Sequence, residues 1–290
     1  MAELLTVDCD DRELTERLDE LEERLAGLRS VLVAFSGGAD SAFALAAAVR
    51  VLGASRVVAA TAVSPSLPAR ELDDAAGFAA EQGVRHITPH TREMDRDGYR
   101  DNAGDRCYFC KAELLDVLSP LAREWALDHI ATGTNADDAV AGFRPGIVAA
   151  DQRGAVTPLR DAGLTKDQVR EASRRLGLRT WDKPAAACLS SRVAYGVTIT
   201  PHRLARVERA EEALRAALAA AGIPVVNLRV RDLGECARVE VDSHLATRVE
   251  ECAAAIEAVR RAGFADVEVD AKGFRSGSMN ELLTGPGGYR

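Results

Sequence analysis

Between residues 12 and 28 the chain reads RELTERLDELEERLAGL, with leucines recurring every three or four positions among charges. That spacing predicts an amphipathic helix closed by a glycine. The next run, SVLVAF at 30–35, is continuously apolar and too short for a helix, so it predicts a buried parallel strand. An alanine- and leucine-rich stretch at 40–52 predicts a helix, and RVVAATAV from 56 a second buried strand, completing a βαβ unit. The alternation continues with a helix at 69–82, a strand at 84–88, a helix at 111–125 and a strand at 129–132. In TKDQVREASRRLGL, Thr165 and Gln168 have the spacing of a capping box and Gly177 closes the helix. That helix is expected to end the first domain.

Beyond residue 200 the order changes to a helix at 201–221, strands at 225–230 and 237–241, a helix at 245–262 and a strand at 265–270. Apolar and polar residues alternate in these strands, which predicts a one-faced, open α+β sheet. The expected class is therefore α/β: a parallel sheet with helices on both faces over residues 1–190, then a smaller α+β domain over 191–290. The segments AAGIPVVNLRV and RAGFADVEVDA look like two versions of one helix-to-strand turn.

With 47% hydrophobic and 28% charged residues, the 290-residue chain has material for a core and enough charge for solubility. No run approaches the roughly 18 apolar residues of a membrane span, and the start MAELLTVDCDDRELTERL is acidic, unlike a signal peptide. A cytoplasmic protein with no membrane partner is expected. A net charge of −8 is the wrong sign for many phosphate contacts, so a nucleic-acid partner is not expected. Six cysteines in a chain of this length read as thiols or ligands rather than a disulfide framework.

SGGADS at 36–41 lies between a predicted strand and a predicted helix. Small residues there free successive backbone N–H groups to surround phosphate oxygens beside the positive helix end. Gly37 and Gly38 permit close approach, Ser36 and Ser41 can donate hydroxyl hydrogen bonds, and Asp40 can hold Mg²⁺ or orient the loop. The Gly-Lys-Ser/Thr ending of a Walker loop is missing. A second set, RCYFCK, gives Cys107 and Cys110 in a C-x-x-C pair, and PAAACLSSR adds Cys188. Three thiolates leave one position of a 4Fe-4S cluster open for a substrate sulfide. Buried thiols, or a structural zinc completed by His86 or His90, are the alternatives. Cys9, Cys236 and Cys252 are isolated and read as packing residues.

The SGGxDS signature after the first strand resembles that of the PP-loop (N-type) ATP pyrophosphatases over roughly the first 180 residues. The resemblance implies ATP cleavage between the α and β phosphates, with AMP left on a substrate oxygen. It also implies nucleotide contacts from Ala62 and Ser64 after the second strand, and from Gly133 and Thr134 after the fourth. Taken together, SGGADS, RCYFCK, TGTNADD, GFRPG, CLSSRVAYGVTIT and GFRSGSMN closely resemble the LarE family of ATP-dependent sulfur transferases, nearly end to end. This likeness implies adenylation of a carboxylate on pyridinium-3,5-biscarboxylic acid mononucleotide. Sulfur insertion then gives the thiocarboxylate precursor of the nickel-pincer cofactor of lactate racemase, and the enzyme is a homo-oligomer. Some LarE proteins sacrifice a cysteine and become dehydroalanine there. This chain departs from that type, because the sacrificial position aligns at Ala187 and three other cysteines suit a cluster. In either case Cys188 is the cysteine expected at the reaction, with sulfide or a sulfur-donor protein as the source.

The substrate's phosphate is expected to meet Ser191 and Arg192, with Arg229 and Arg231 on a later strand, as a bidentate cluster. Glu211 and Glu240 match family acidic positions for orientation or proton transfer. Three other readings compete. A PP-loop tRNA thiolase calls for a basic face or an RNA-binding extension, which this acidic chain lacks. An amidating synthetase calls for an ammonia source, and no glutaminase segment is apparent. A zinc- or nucleotide-binding module has no need of the Asp40 and Ser41 pair.

Overall fold

A computed structural model describes residues 12–140, 144–184, 187–275 and 278–279. The first unit comprises the described residues of Met1–Glu93 and Cys107–Ala186, and the second those of Met94–Arg106 and Ala187–Arg290. The second unit therefore includes a short excursion that the sequence pattern had assigned to the first.

In chain order the elements are α1 (Arg12–Gly27), β1 (Val31–Ala34), α2 (Ala39–Leu52), β2 (Val57–Ala60), α3 (Ala69–Glu81), β3 (Arg85–Ile87), α4 (Asp97–Arg100), α5 (Arg106–Glu124) and β4 (His129–Thr132). There follow α6 (Ala136–Val140), α7 (Pro145–Gln152), α8 (Pro158–Asp161), α9 (Lys166–Arg175), α10 (Pro201–Ala220), β5 (Leu228–Asp232), β6 (Cys236–Val241), α11 (Ala246–Glu250), α12 (Ala253–Arg261) and β7 (Asp266–Val269).

The first unit is built on a four-stranded parallel sheet in the order β3-β2-β1-β4. Successive side chains of a strand point to opposite faces. Val31 and Val33 accordingly join a core with α1, α2, α3 and α9, while Leu32 and Ala34 meet Leu118 and Ala122 of α5. Helices thus cover both faces, as the continuous apolar strands predict. The four leucines of α1 are all buried. The order turns back between β1 and β4, and in open parallel sheets ligands bind at such a switch point, outside the carboxyl ends of the strands.

In the second unit β5 pairs antiparallel with β6, and β6 pairs parallel with β7. Leu228, Val230, Ala237, Val239 and Val241 have no exposure, and α10 packs on β5 and α12. Two expectations need correcting. The second face of the sheet is solvated only in part: Arg238 and Glu268 pair toward solvent there, whereas Arg231 and Glu240 are buried as a pair. The helix expected at 245–262 is two helices, because Cys252 leaves helical geometry with ψ 88° and starts α12 as its N-cap. Among the described residues no helix is long and apolar enough to cross a membrane.

Candidate active site

The buried strand β1 delivers the chain to the carboxyl edge of the sheet, where Ser36, Gly37 and Gly38 turn it into α2. Gly37 sits at φ +73°, in the left-handed region that favours glycine. Gly38 is the N-cap of α2 with no side-chain cap, so the first-turn N–H groups remain for a ligand. Ser41 Oγ donates to Gly38 O at 3.1 Å, which spends its proton. It therefore accepts from Ser36 Oγ at 3.1 Å and from Ser36 N at 3.3 Å. The two serines hold the curl of the loop.

This loop walls a cavity of about 290 Å³ together with Thr61, Ala62, Thr132, Gly133, Thr134 and Lys111. Gly133 is required by space: a Cβ there would stand 2.6 Å from Ser41 N and 2.7 Å from Ser41 Cα. Thr134 adds a hydroxyl 3.0 Å from that of Thr132. Asp40 and Asp138 line the same space. Asp40 accepts from the buried Asn135 Nδ2 at 3.3 Å and lies 3.8 Å from Lys166 Nζ. Thr61 donates its hydroxyl proton to Phe35 O at 2.7 Å. The 2.9 Å contact between Thr61 Oγ1 and His86 must then carry the proton on His86 Nε2. Burial lowers the His86 pKa and so favours the neutral ring. His86 is thereby held beside the cavity through Nε2.

Ser64 stands differently from expectation. It does not line the cavity, and its hydroxyl is turned to Glu93. Lys111, by contrast, is a cavity residue that the sequence reading missed while it weighed RCYFCK for cysteines alone. It lies one turn beyond Cys107 on α5. Burial lowers its pKa, opposed by Cys110, Cys107 and Asp138. A lysine immediately after the second cysteine, near the start of a helix that leads into the fourth strand, was the available signal.

Helix α5 starts at Arg106 rather than 111, so Cys107 and Cys110 stand one turn apart in its first turns, exposed and half-buried respectively. Gly146, from the GFRPG segment whose residues 142 and 143 lie outside the described residues, packs against this turn. A Cβ there would meet Cys107 O at 3.4 Å and Lys111 Cβ at 3.8 Å. Cys188 belongs to the second unit. Among the described residues no three Cys, His, Asp or Glu side chains are gathered so as to hold a metal ion. Cys236 and Cys252 are half-buried, and Cys9 lies outside the described residues.

In the second unit the expected phosphate residues do come together around the Cys188 loop. The Cys188 carbonyl accepts from Ser191 N at 3.0 Å, Ser191 Oγ at 2.7 Å and Arg192 Nη1 at 3.0 Å. Arg192 forks onto Glu211 with Nε at 3.0 Å and Nη2 at 3.2 Å, and also donates to Ala187 O. Its donors are therefore committed to shaping the loop. Arg231 is buried on Glu240 at 2.7 and 2.9 Å and donates to Ser191 O at 3.1 Å. Ser278 Oγ completes that pair by donating to Glu240 at 2.8 Å. Arg229 lies across the strand pair from Glu240, its guanidinium 5.3 Å from the Phe274 ring. Burial first, then Arg192, Arg231 and Arg215, bring its pKa down to about 10, with Glu211 opposing. A half-buried cation crowded by cations is a place where an anion is favoured.

A parallel sheet with an SGGADS turn at its switch point, over a cavity of backbone N–H groups, one lysine and two aspartates, defines an enzyme of the PP-loop ATP pyrophosphatase type. Comparison with known proteins narrows this. A protein of Synechocystis sp., itself uncharacterized, is 40% identical over 274 residues, 93% of this chain and 99% of the relative. The pyridinium-3,5-bisthiocarboxylic acid mononucleotide synthase of Lactiplantibacillus plantarum is 34% identical over 264 residues, 90% of this chain and 92% of that enzyme. An NH(3)-dependent NAD(+) synthetase of Chlorobaculum tepidum is 30% identical over 177 residues, 58% of this chain and 61% of the synthetase. No protein-family profile matches the chain. The chain belongs to the pyridinium-3,5-bisthiocarboxylic acid mononucleotide synthase (LarE) family.

Proposed function

We propose that this enzyme uses ATP to adenylate a carboxylate of pyridinium-3,5-biscarboxylic acid mononucleotide and then exchanges the activated oxygen for sulfur. The product is the thiocarboxylate precursor of the nickel-pincer cofactor of lactate racemase. The observation that carries this reading is the cavity at the SGGADS turn, in a chain that matches a synthase of that chemistry over 92% of the synthase.

In this reading the ATP phosphates lie against the N–H groups of residues 36–41, with Lys111 adding positive charge. Gly133 and Thr134 flank the nucleotide, and Asp40 and Asp138 are the hard oxygen donors that suit Mg²⁺, which keeps several of its waters. A substrate carboxylate oxygen attacks the α-phosphorus and pyrophosphate leaves, so a poor leaving oxygen becomes AMP. A sulfur nucleophile then attacks the acyl carbon and AMP departs. The pyridinium mononucleotide's phosphate is assigned to Arg229, with Ser191 and Arg231 beside it. Arg192, Glu211 and Glu240 keep those groups and the Cys188 loop in place.

Sulfur is assigned to the cysteines. Cys188 acts either as its own donor, its thioester losing the Cα proton and breaking the Cβ–S bond to leave dehydroalanine and the thiocarboxylate, or with Cys107 and Cys110 as ligands of a 4Fe-4S cluster that would carry sulfur for transfer and be renewed by sulfide or a donor protein. The cluster requires Cys188 to join the pair on α5. The reading includes a cytoplasmic setting and a homo-oligomer, the latter on the LarE resemblance alone.

The test incubates protein purified without oxygen with ATP, Mg²⁺ and the pyridinium substrate, and follows AMP, pyrophosphate and the product mass. AMP formation that depends on the substrate, with sulfur in place of a carboxylate oxygen, is the expected result, and its absence overturns the reading. Iron and sulfide per chain in wild type, Cys107→Ala, Cys110→Ala and Cys188→Ala decide the sulfur route. About four irons lost in all three variants support the cluster. Absence of iron, with Cys188 becoming dehydroalanine, supports donation by Cys188.

A further inference from the structure

Glu93 takes no part in the chemistry above, yet it is only 2% exposed and stands where the chain leaves the first unit. Its Oε1 accepts from Ser66 Oγ at 2.7 Å and also from Ser64 Oγ. Ser64 Oγ also accepts from Ser66 N at 3.2 Å, and Leu67 N bonds Ser64 O at 3.1 Å. The backbone beside them is strapped as well: Val63 N donates to Pro89 O at 2.9 Å and Thr91 N to Val63 O at 3.1 Å. The turn after β2 is thus tied from behind, by its hydroxyls, to Glu93. Its two ends, Ala62 and Leu67, line the cavity.

Two serine hydroxyls in a binding turn would ordinarily be read as ligands of the nucleotide. Here both face a buried carboxylate, and a buried hydroxyl without an acceptor is costly. We propose that Glu93 is a positioning residue of the nucleotide site: by gathering Ser64 and Ser66 it sets where Ala62 and Leu67 stand against the bound nucleotide. The proposal rests on the reading of this cavity as the ATP site.

Both side-chain bonds end on one oxygen, so Glu93→Gln can keep them through its amide oxygen, whereas Glu93→Ala removes the acceptor altogether. The test measures, on the full chain, the affinity for a non-hydrolysable α,β-methylene analogue of ATP, the KM for ATP and for the pyridinium substrate, and the thermal midpoint. Glu93→Ala is expected to weaken the analogue about tenfold and to raise the KM for ATP but not for the pyridinium substrate, while Glu93→Gln stays within about threefold. A purely structural residue would lower the midpoint and leave analogue affinity untouched, and that result overturns the proposal. So does a Glu93→Gln variant as weak as Glu93→Ala, since charge rather than the shared acceptor would then be at work. If Glu93→Ala does not fold, Ser66→Ala, which deletes one of the two bonds, is expected to weaken the analogue about threefold, and unchanged affinity there overturns the proposal equally. Wild-type protein that fails to bind the analogue would instead sink the assignment of the cavity.

Discussion

Gly133 closes β4 directly onto the first turn of α2, at the point where a Cβ would press within 2.6 Å of Ser41 N. Backbone on both sides cannot yield like a flexible side chain, so Gly133→Ala is expected to shift the SGGADS turn. Binding of the ATP analogue should fall by at least about tenfold, read by calorimetry, with a smaller loss of thermal midpoint. His86 offers a pH signature. Burial lowers its pKa below the ordinary value of 6.5, so the unfolded chain takes up a proton that the folded chain resists. Its contribution is neutral above that value and turns destabilising as pH falls below it. Urea midpoints measured between pH 7.5 and 5.5 should decline in the wild type and decline less in His86→Gln. At this scale the SGGADS turn was legible because two glycines and two serines between an apolar strand and a helix carry the turn geometry in themselves. The commitment of Arg192 to Glu211 and to two carbonyls was not, since an arginine's type says nothing of which acceptors surround it.

The helix α9 shows how far local rules reach. Thr165 Oγ1 accepts from Gln168 N at 3.3 Å and Gln168 Oε1 accepts from Thr165 N at 3.1 Å, the reciprocal capping box that the spacing of the two residues implies. Thr165→Ala is expected to cost about 1 kcal/mol of stability, measured as a lower urea midpoint with an unchanged slope. Strand β4 falls at 129–132 as expected, and β1 and α2 lie within a residue of expectation. These elements are dictated by continuous apolar runs and by glycine punctuation, which are local properties. The start of α5 was misplaced by five residues, and 245–262 was read as one helix where there are two. Helix ends are decided by whichever groups satisfy their unpaired N–H and C=O, and those groups come from elsewhere in the chain.

The whole molecule departs most from a linear reading in the excursion Met94–Arg106, which folds with the second unit. Tyr99 Oη bonds Ser190 Oγ at 2.5 Å, and Arg106 donates to Ser190 O at 3.0 Å. The fully buried Asn102, at φ 53°, donates to the carbonyls of Val193, Ala194 and Val197. A fragment of residues 191–290, cut where the strand pattern changes, loses all of these partners. It is expected to give a poorly dispersed proton NMR spectrum, whereas residues 94–106 joined by a flexible linker ahead of 187–290 should restore dispersion. The sequence by itself determined the parallel sheet, its covering helices, the SGGADS turn between β1 and α2 and the family, because periodicity and motif spacing act over a few residues. Only the tertiary structure decided that Lys111 faces the cavity, that Ser64 faces Glu93, that Arg192 is committed to the Cys188 loop and that the excursion joins the second unit. Each of these depends on which distant group satisfies a buried donor, acceptor or charge, and that pairing is settled when the chain closes on itself.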